Sequence, residues 1–362
     1  MIIIATGITG SGRADYIRKV KKYAEDMGKE IDVIDIGPRM FRKAEQLRVS
    51  IPENKILDLD PLALGFLRAT IFEEVLSDID EYKKDDRDLI ISLHASFRWR
   101  KVLLPAFDFY YLRKLEPDFY VTIINTVYRI RESMYLKNDI KHWLERLSLK
   151  ELLIWQDEEI FTTKIVADFQ GVPHYIISGA DTPYTLYKII YDVEKAKKEN
   201  RKPAKKAYLS YPMTMIRKNV DITSDKDALV EKLRENNVVV FDPAMVEDMI
   251  LVELLNETAD EKIKPPDAEV PIPRQEVEEA KQYIIEQTVI RDYRLIDQSD
   301  FVVVFYPVTE LSAGVLSEMI YAFTHQKDVY AFFPHRISPF FKYYSTKVFE
   351  DISELVSFIS NL

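Results

Sequence analysis

The sequence begins with MIIIATGITGSGRADYIRKV, residues 1–20, and this stretch decides the fold class. An apolar run at 2–6 meets a glycine-rich turn, and a charged segment with helical spacing starts at residue 13. A strand, a glycine-rich turn and a helix in this order are typical of phosphate-binding loops, where backbone amides and the helix N-terminus face an anion. The stretch therefore predicts an α/β protein with a nucleotide-binding loop.

The loop departs from the usual P-loop at the two positions whose side chains bind the phosphates and ligate magnesium. Arg13 stands where a lysine reaches the terminal phosphates, and Ala14 stands where a serine or threonine ligates magnesium. Arg13 can supply positive charge through its planar guanidinium group, and Asp15, one residue after Ala14, could ligate a metal. A tight strand–helix turn without a ligand is the open alternative. The candidate nucleotide-binding residues of the loop are Gly7, Gly10, Ser11, Gly12, Arg13 and Asp15.

Beyond the loop, short apolar runs alternate with helical patterns. Strands alternating with helices predict a parallel sheet covered on both faces. After a Lys-rich stretch at 194–208, a second series of the same kind follows. The predicted strands are 2–6, 31–36, 88–93, 118–125 and 173–178 in the first series, and 207–211, 238–243, 300–307 and 328–333 in the second. Helices are expected at 13–27, 225–236, 276–298, 312–325 and 350–361.

These patterns predict two three-layer α/β/α domains with mainly parallel sheets, the first P-loop kinase-like and the second Rossmann-like. The expected organisation is a P-loop domain at 1–195, a linker at 196–206 and a second domain at 207–362. An insertion at about 248–287 interrupts the second domain, and its acidic, Pro-rich part at 259–275 is expected to be a loop or lid.

Composition limits the classes of function. The 362 residues carry a formal net charge of −10, which disfavours a general nucleic-acid binder, since phosphate backbones select basic surfaces. The absence of Cys excludes disulfides and thiolate chemistry, and the five His do not pair at metal-ligand spacing. The chain contains no run of about 18 apolar residues, so the sequence predicts no membrane-spanning helix. We expect a cytoplasmic protein, and its usage of Lys, Glu and Ile fits a thermophile.

A second informative glycine lies in IRDYRLIDQSDFVVVFYPVTELSAGVLSEMIYAF, residues 290–323. Gly314 is the single Gly after Gly179, and it opens a helix that carries Glu318. Ser312, Gly314 and that helix start would form an anion pocket at the carboxyl end of the sheet, with Asp292 on the preceding helix. Two carboxylates at one pocket suit glycosidic cleavage, one as nucleophile and one as acid or base. Plainer alternatives exist for each acid. Glu318 could be a charge near a helix start that the helix dipole stabilises, Asp292 a solvated helix residue and Asp300 a cap.

Residues 1–180 resemble the archaeal-type adenylate kinases, a P-loop kinase family. The resemblance is carried by GITGSGR, by DIGPRMFRKA at 35–44, by LIISLHAS at 89–96 and by WQDEEIFTTKIVADFQGVPHYII at 155–177. It implies that His94 lies near the phosphates. The lid region has only Arg129 and Arg131, and Glu159-Ile160 replaces the family's Asn-Arg. These departures predict a retained fold without adenylate kinase activity.

The stretch at 290–323, with YLSYPMT at 208–214, resembles the nucleoside 2-deoxyribosyltransferase superfamily, and most closely its 2'-deoxynucleoside 5'-phosphate N-hydrolase branch. Asp292, Ser299-Asp300, Thr309, Ser312, Gly314, Val315, Glu318 and Ala322 are in register with the family pattern. The resemblance implies that Glu318 is the nucleophile and that Asp292 acts as acid/base or orients the substrate. It implies that Ser312 and Gly314 hold the 5'-phosphate, with Tyr208 in the first strand and Arg217 in place of a missing family arginine.

The sequence thus predicts a nucleotide-processing enzyme that cleaves or exchanges an N-glycosidic bond, with an N-terminal nucleotide-binding domain. Its partner is a small nucleoside or nucleotide. Glycosidic chemistry requires no cofactor, whereas ATP or another nucleotide with Mg²⁺ is a candidate ligand of the P-loop. The alternatives are a P-loop kinase or NTPase with a ligand-sensing second domain and a non-catalytic nucleotide sensor. A homodimer is implied by the second resemblance, since such domains commonly complete their sites across a dimer.

Overall fold

The computed structural model describes residues 1–51, 55–84, 87–99, 102–137, 141, 144, 147–217 and 219–362. Within these ranges the chain alternates strands and helices along most of its length. The strands are β1 (Ile2–Thr6), β2 (Ile31–Asp35), β3 (Asp88–Ser92), β4 (Ser96–Trp99), β5 (Val102–Pro105), β6 (Phe119–Ile124), β7 (His174–Ser178), β8 (Lys205–Ser210), β9 (Val238–Phe241), β10 (Lys262–Ile263), β11 (Ile272–Pro273), β12 (Phe301–Phe305), β13 (Asp328–Phe332) and β14 (Lys347–Phe349).

The helices cover the sheets and carry most of the candidate site residues. They are α1 (Arg13–Asp26), α2 (Ile36–Gln46), α3 (Pro61–Lys84), α4 (Phe109–Leu115), α5 (Val127–Leu136), α6 (Leu149–Gln170), α7 (Pro183–Lys188), α8 (Lys195–Lys198), α9 (Met213–Ile216), α10 (Val220–Glu235), α11 (Met249–Glu257), α12 (Arg274–Asp297), α13 (Ala313–Thr324), α14 (Pro339–Tyr343) and α15 (Ile352–Ser360). Among the described residues, none of these helices is long and apolar enough to cross a membrane.

The chain divides into two compact units. The first unit comprises residues 1–184 with 248–285, and the second comprises 185–247 with 286–362. The predicted boundary near 195 and the assignment of the insertion to the second domain both differ from this division. Where a linker was predicted at 196–206, the helical segment that begins with α7 continues to Lys198 and β8 begins at Lys205.

The first unit is built on a five-stranded parallel sheet with the order β2-β3-β1-β6-β7. Every residue of β1 is buried, because helices cover both faces of the sheet and its strands read as continuous apolar runs. The order of strands changes direction at β1, between β3 and β6. The loop at 7–12 leaves the carboxyl end of this strand, where open parallel sheets bind ligands.

The second unit repeats this architecture with the order β14-β13-β12-β8-β9, all parallel. Its core lies between the sheet and its helices, and Val303, Phe305 and Leu355 are among its buried residues. The prediction of two α/β/α domains with parallel sheets is confirmed. Here the order changes direction between β8 and β12, so the carboxyl ends of these two strands border the expected crevice.

The segment 248–285 packs within the first unit as structured chain, with α11, the β10–β11 hairpin and the first half of α12. Its apolar side chains share one buried cluster with Ile8 of the glycine-rich loop and with α5 and α6. The Asp248 carboxylate accepts a hydrogen bond from the Val127 amide at 2.7 Å, and Glu276 pairs with Arg131. Most of 259–275 is a loop, as predicted, with the short β10–β11 hairpin within it, but it packs against the unit instead of forming an exposed lid, because Ile263, Ala268 and Ile272 are buried.

Candidate active site

Glu318 lies in the second turn of α13 and points toward the carboxyl end of β8. Its carboxylate accepts a hydrogen bond from the Tyr208 hydroxyl at 2.9 Å and another from the Ser210 hydroxyl. Tyr208 and Ser210 are two residues apart on β8, so the alternation of the strand presents both side chains to the same face. The strand and the helix together hold a buried carboxylate at the crevice of the second sheet.

Asp292 joins this cluster from α12. It is buried, it lies within hydrogen-bonding reach of the Tyr208 hydroxyl, and it feels the charges of Glu318, Arg291 and Glu247. The Arg291 guanidinium donates to the carbonyl of Val246 at 2.6 Å, which anchors this turn of α12. The structure therefore brings the two predicted carboxylates to the same tyrosine.

Burial dominates the titration of the cluster. Loss of solvation raises the pKa of Glu318 from 4.5 to about 7, although the hydrogen bonds from Ser210 and Tyr208 oppose the shift. Burial and then the charge of Glu318 raise the pKa of Asp292 well above its ordinary range. Desolvation and the two carboxylates raise the pKa of Tyr208 also, so its hydroxyl keeps its proton. Near neutral pH the two carboxyl groups cannot both ionise without cost, so the pair retains a proton.

The residues of the predicted anion pocket lie at the start of α13. The Ser312 side chain caps the helix by accepting from the Val315 amide at 3.4 Å, and the Ser312 amide donates to the Tyr306 hydroxyl at 2.7 Å. Gly314 is exposed, and a methyl group added there would meet nothing closer than the Ser312 hydroxyl at 3.9 Å. The fold itself does not require glycine at 314, which leaves close approach of a ligand as a reason for it.

Two further predicted residues are engaged elsewhere. Arg217, predicted to bind phosphate, forms an ion pair with the buried side chain of Glu247. Asp300 lies before β12, at the opposite end of the sheet from the crevice, where it accepts from the Lys206 amide at 2.7 Å and pairs with the Lys206 ammonium at 2.8 Å. Asp300 therefore has a structural role at the start of β8, through Lys206, rather than the cap role that the sequence left open.

Ser210 and a buried ion-pair network were missed by the sequence reasoning. Asp242, directly after β9, accepts from the Tyr211 hydroxyl at 2.8 Å and from Lys226 at 2.9 Å. This network fixes the residue that follows β8, and thereby the chain next to Ser210. A signal was available, since a polar residue inside an apolar strand and an acid at a strand's carboxyl end mark the ligand-binding edge of parallel sheets.

In the first unit, the Arg13 side chain turns back toward the sheet. Its Nε donates to the Ser92 hydroxyl at 3.0 Å, and its Nη1 donates to the carbonyls of Gly7 and of Leu93, the latter at 2.7 Å. Burial lowers the pKa of Arg13, while the charges of Asp35 and Glu159 oppose this. The guanidinium predicted to supply charge to a phosphate is thus bonded to the protein's own carbonyls.

Glu159 provides the negative charge that faces this arginine. It is fully buried on α6 and accepts from the amides of Gly7, Ala95 and Ser96 at 2.7 to 2.9 Å, and from the Ser96 hydroxyl. Burial raises the pKa of Glu159, and these donors together with Arg13 counter the effect. The sequence marked Glu159 only as a departure from a family pattern, whereas the structure makes it an internal anion of the glycine-rich loop.

The remaining predicted loop residues divide between the interior and the surface. Ser11 is fully buried and its carbonyl accepts from Asn125 at 3.3 Å, and Gly10 adopts a positive φ of 86° against the carbonyl of Ile130. Gly12 ends the loop as the N-cap of α1. Asp15, predicted as a metal ligand, instead pairs with Arg18 on the exposed face of that helix.

His94 follows β3, as predicted, but is enclosed by aromatic side chains. Its ring lies 4.6 Å from the ring of Phe97 and 6.3 Å from that of Trp155. Burial and the charge of Arg13 lower the pKa of His94 well below its ordinary value, so the imidazole is neutral. Within the described part of the chain, no group of three His, Asp or Glu side chains is arranged to hold a metal ion.

Comparison with known proteins identifies no family for this chain. No protein-family model matches it, and no curated protein matches it. Among solved structures, it is similar to a conserved protein from Enterococcus faecalis V583, with 16% identity, coverage of 44% of this chain and 98% of that chain, and a TM-score of 0.25. A similarity at this level supports no conclusion about function.

Proposed function

We propose that the second unit cleaves or exchanges the N-glycosidic bond of a nucleoside or nucleotide. The observation that supports this proposal best is the buried Glu318 carboxylate, which accepts from Tyr208 and Ser210 while Asp292 approaches the same tyrosine. Two carboxyl groups with raised pKa values at the carboxyl ends of parallel strands suit nucleophilic and acid–base work on one bond.

The hydrogen bonds suggest how the proton is divided between the two carboxyl groups. The Tyr208 hydroxyl has one proton, and it donates that proton to Glu318. Its single proton cannot serve both carboxylates, and burial with the charge of Glu318 raises the pKa of Asp292, so we assign the proton that the pair retains to Asp292. In this arrangement Glu318 is the anion that attacks the anomeric carbon, and Asp292 is the acid that protonates the departing base.

In the proposed cycle, the carbon–nitrogen bond to the base breaks as a Glu318 oxygen bonds to the anomeric carbon. Asp292 gives its proton to the base. As a carboxylate it then deprotonates the water or second base that attacks the anomeric carbon, and the bond to Glu318 breaks to release the Glu318 carboxylate. Ser312 and Gly314, at the N-terminus of α13, would hold a 5'-phosphate through backbone amides and the helix dipole.

The test is a chromatographic screen for free base after incubation of the full chain with nucleosides and 5'-nucleotides. We expect release by the wild-type protein and a loss of about a thousandfold or more in Glu318→Ala. Glu235→Ala, on the exposed end of α10, is the matched control and should keep the wild-type rate. A folded wild-type protein that releases no base from any substrate would overturn the proposal.

The contacts of Arg13 weigh against the kinase alternative. A phosphoryl-transfer loop needs a cation directed at the terminal phosphates, whereas this guanidinium is bonded to Gly7, Ser92 and Leu93. We therefore propose a supporting or nucleotide-binding role for the first unit rather than catalysis.

Tyr208→Phe is expected to move the pH dependence of base release. Loss of the donor destabilises the Glu318 anion, so the pKa of Glu318 rises further. The acidic limb of kcat/KM, which in the wild type should lie near pH 7, then moves up by about one unit. Tyr330→Phe, a buried tyrosine of β13, should leave the limb in place. A profile unchanged by Tyr208→Phe would contradict the proton arrangement.

Gly314→Ala separates binding from stability. Alanine is the better helix former and meets open space, so we expect the free energy of unfolding to rise by about 0.5–1 kcal/mol. The added methyl group crowds an anion at the helix start, so KM for 5'-phosphorylated substrates should rise about tenfold, with nucleosides unaffected. An equal effect on both substrate types would argue against a phosphate subsite here.

A further inference from the structure

An exposed apolar stripe runs along α6 in the first unit. Phe161, Ile165 and Phe169 are 61%, 45% and 67% exposed. They are spaced four residues apart, so they lie on one face of the helix. The opposite face carries Trp155, Glu159 and other buried residues. Single exposed apolar residues are ordinary on protein surfaces, whereas an aligned set of large ones marks an interaction site.

Neighbouring elements extend this stripe into a patch. The ring of Phe109, at the start of α4, lies 6.4 Å from that of Phe169 and is itself exposed. Leu103 of β5 is also exposed and is the cross-strand partner of Arg98, whose guanidinium is held by Glu158 of α6. Together these side chains expose about 500 Å² of apolar surface, the scale of functional patches on monomers.

The stripe is self-complementary under a two-fold axis. The residue order of the stripe is the same in both chain directions, with Phe161 and Phe169 each four residues from Ile165. Two antiparallel copies of α6 centred on Ile165 would therefore place Phe161 of each copy against Phe169 of the other. Such self-complementarity is what an isologous dimer interface requires.

The charges beside the stripe have the same symmetry. Lys164 and Asp168 form an exposed ion pair on one flank of it. In an antiparallel helix pair like flanks face each other, so Lys164 of each copy would meet Asp168 of the other. Along the flank the order is then Asp168, Lys164, Lys164 and Asp168, so the two lysines meet near the axis and each has an acid of the other copy on its outer side.

We propose that two copies of this chain associate through the α6 face to form an isologous dimer centred on Ile165. The apolar patch of about 500 Å² supplies more than half of the roughly 800 Å² per partner that a standard interface buries. This face belongs to the first unit, whereas the dimer implied by family resemblance concerns the second.

Sedimentation velocity of the full chain over about 1–100 µM tests the interface. We expect a concentration-dependent dimer in the wild type and a dissociation constant at least about tenfold weaker in Ile165→Glu. Leu62→Glu is the matched control, since Leu62 is an exposed leucine of α3 outside the patch. A wild type that is monomeric throughout, or a dimer that Ile165→Glu leaves intact, would overturn the proposal.

Charge reversal tests the antiparallel arrangement. Lys164→Asp and Asp168→Lys should each weaken the dimer about tenfold, because each places like charges opposite one another. The double variant restores opposite charges on the flank and should recover most of the wild-type affinity. Both substitutions are on the surface, so circular dichroism should show wild-type folding. A double variant as weak as the single ones would refute the two-fold register.

Discussion

Glu318→Gln is expected to abolish base release and, at the same time, to raise the free energy of unfolding of the second unit by about 3 kcal/mol at pH 8. Burial raises the pKa of Glu318 from 4.5 to about 7, so ionising it in the folded protein costs free energy. The amide side chain has no such cost: its oxygen can accept from Tyr208, and its NH2 group can donate to the Ser210 hydroxyl. The carboxylate proposed for catalysis would thus lower the free energy of unfolding of the second unit.

The sign of the pH dependence follows from the raised pKa. The stability associated with the neutral carboxyl group is fully present below pH 4.5 and is lost as the pH rises through 7. The advantage of the glutamine variant should therefore shrink from about 3 kcal/mol at pH 8 to about 1 kcal/mol at pH 5.5.

Calorimetry of the full chain at both pH values measures this difference. The three tryptophans, Trp99, Trp143 and Trp155, all precede residue 185, so fluorescence follows the first unit. The calorimetric transition that has no counterpart in tryptophan fluorescence is therefore assigned to the second unit. Glu235→Gln should change the stability by less than about 0.5 kcal/mol at either pH. A glutamine variant less stable than the wild type at pH 8 would contradict the burial of an ionised Glu318.

Glu159→Leu is expected to destabilise the first unit by about 4–5 kcal/mol. The substitution leaves the amides of Gly7, Ala95 and Ser96 without their buried acceptor. It also removes the carboxylate that faces the buried charge of Arg13. Urea unfolding followed by tryptophan fluorescence measures the loss, since Trp155 lies one helical turn from Glu159.

The neighbouring Glu158 supplies the control. It pairs with Arg98 in a partly solvated position, so Glu158→Leu should cost only about 1 kcal/mol. A double variant with Arg13→Met removes both members of the Arg13–Glu159 pair and should be less unstable than the sum of the single variants. Strict additivity would mean that Arg13 and Glu159 do not interact.

Most of the architecture was predictable because it depends on local patterns. Apolar runs such as 88–93 and 300–307 are long enough to mark buried strands, and the alternation with helical segments leaves a parallel sheet as the simplest arrangement. Gly314 and Glu318 were identifiable because glycine is rare in this chain and an acid follows a helix start there.

The contacts of the site were predictable only in part. That Glu318 and Asp292 lie near each other followed from the order of the elements, but the contacts of both with Tyr208, and of Glu318 with Ser210, depend on side-chain directions. Arg13 illustrates the same limit, because the loop sequence does not reveal that Glu159, from 146 residues further along the chain, neutralises it.

Two parallel α/β units, and the carboxylates near the carboxyl edge of the second sheet, follow from the amino-acid sequence alone, since periodicity and residue type are local properties. The tertiary structure alone decided that 248–285 packs with the first unit, that Arg13 turns inward and that α6 keeps an apolar stripe exposed. An amphipathic pattern predicts that one face of a helix is apolar. Which surface packs on that face depends on contacts between residues far apart in the chain.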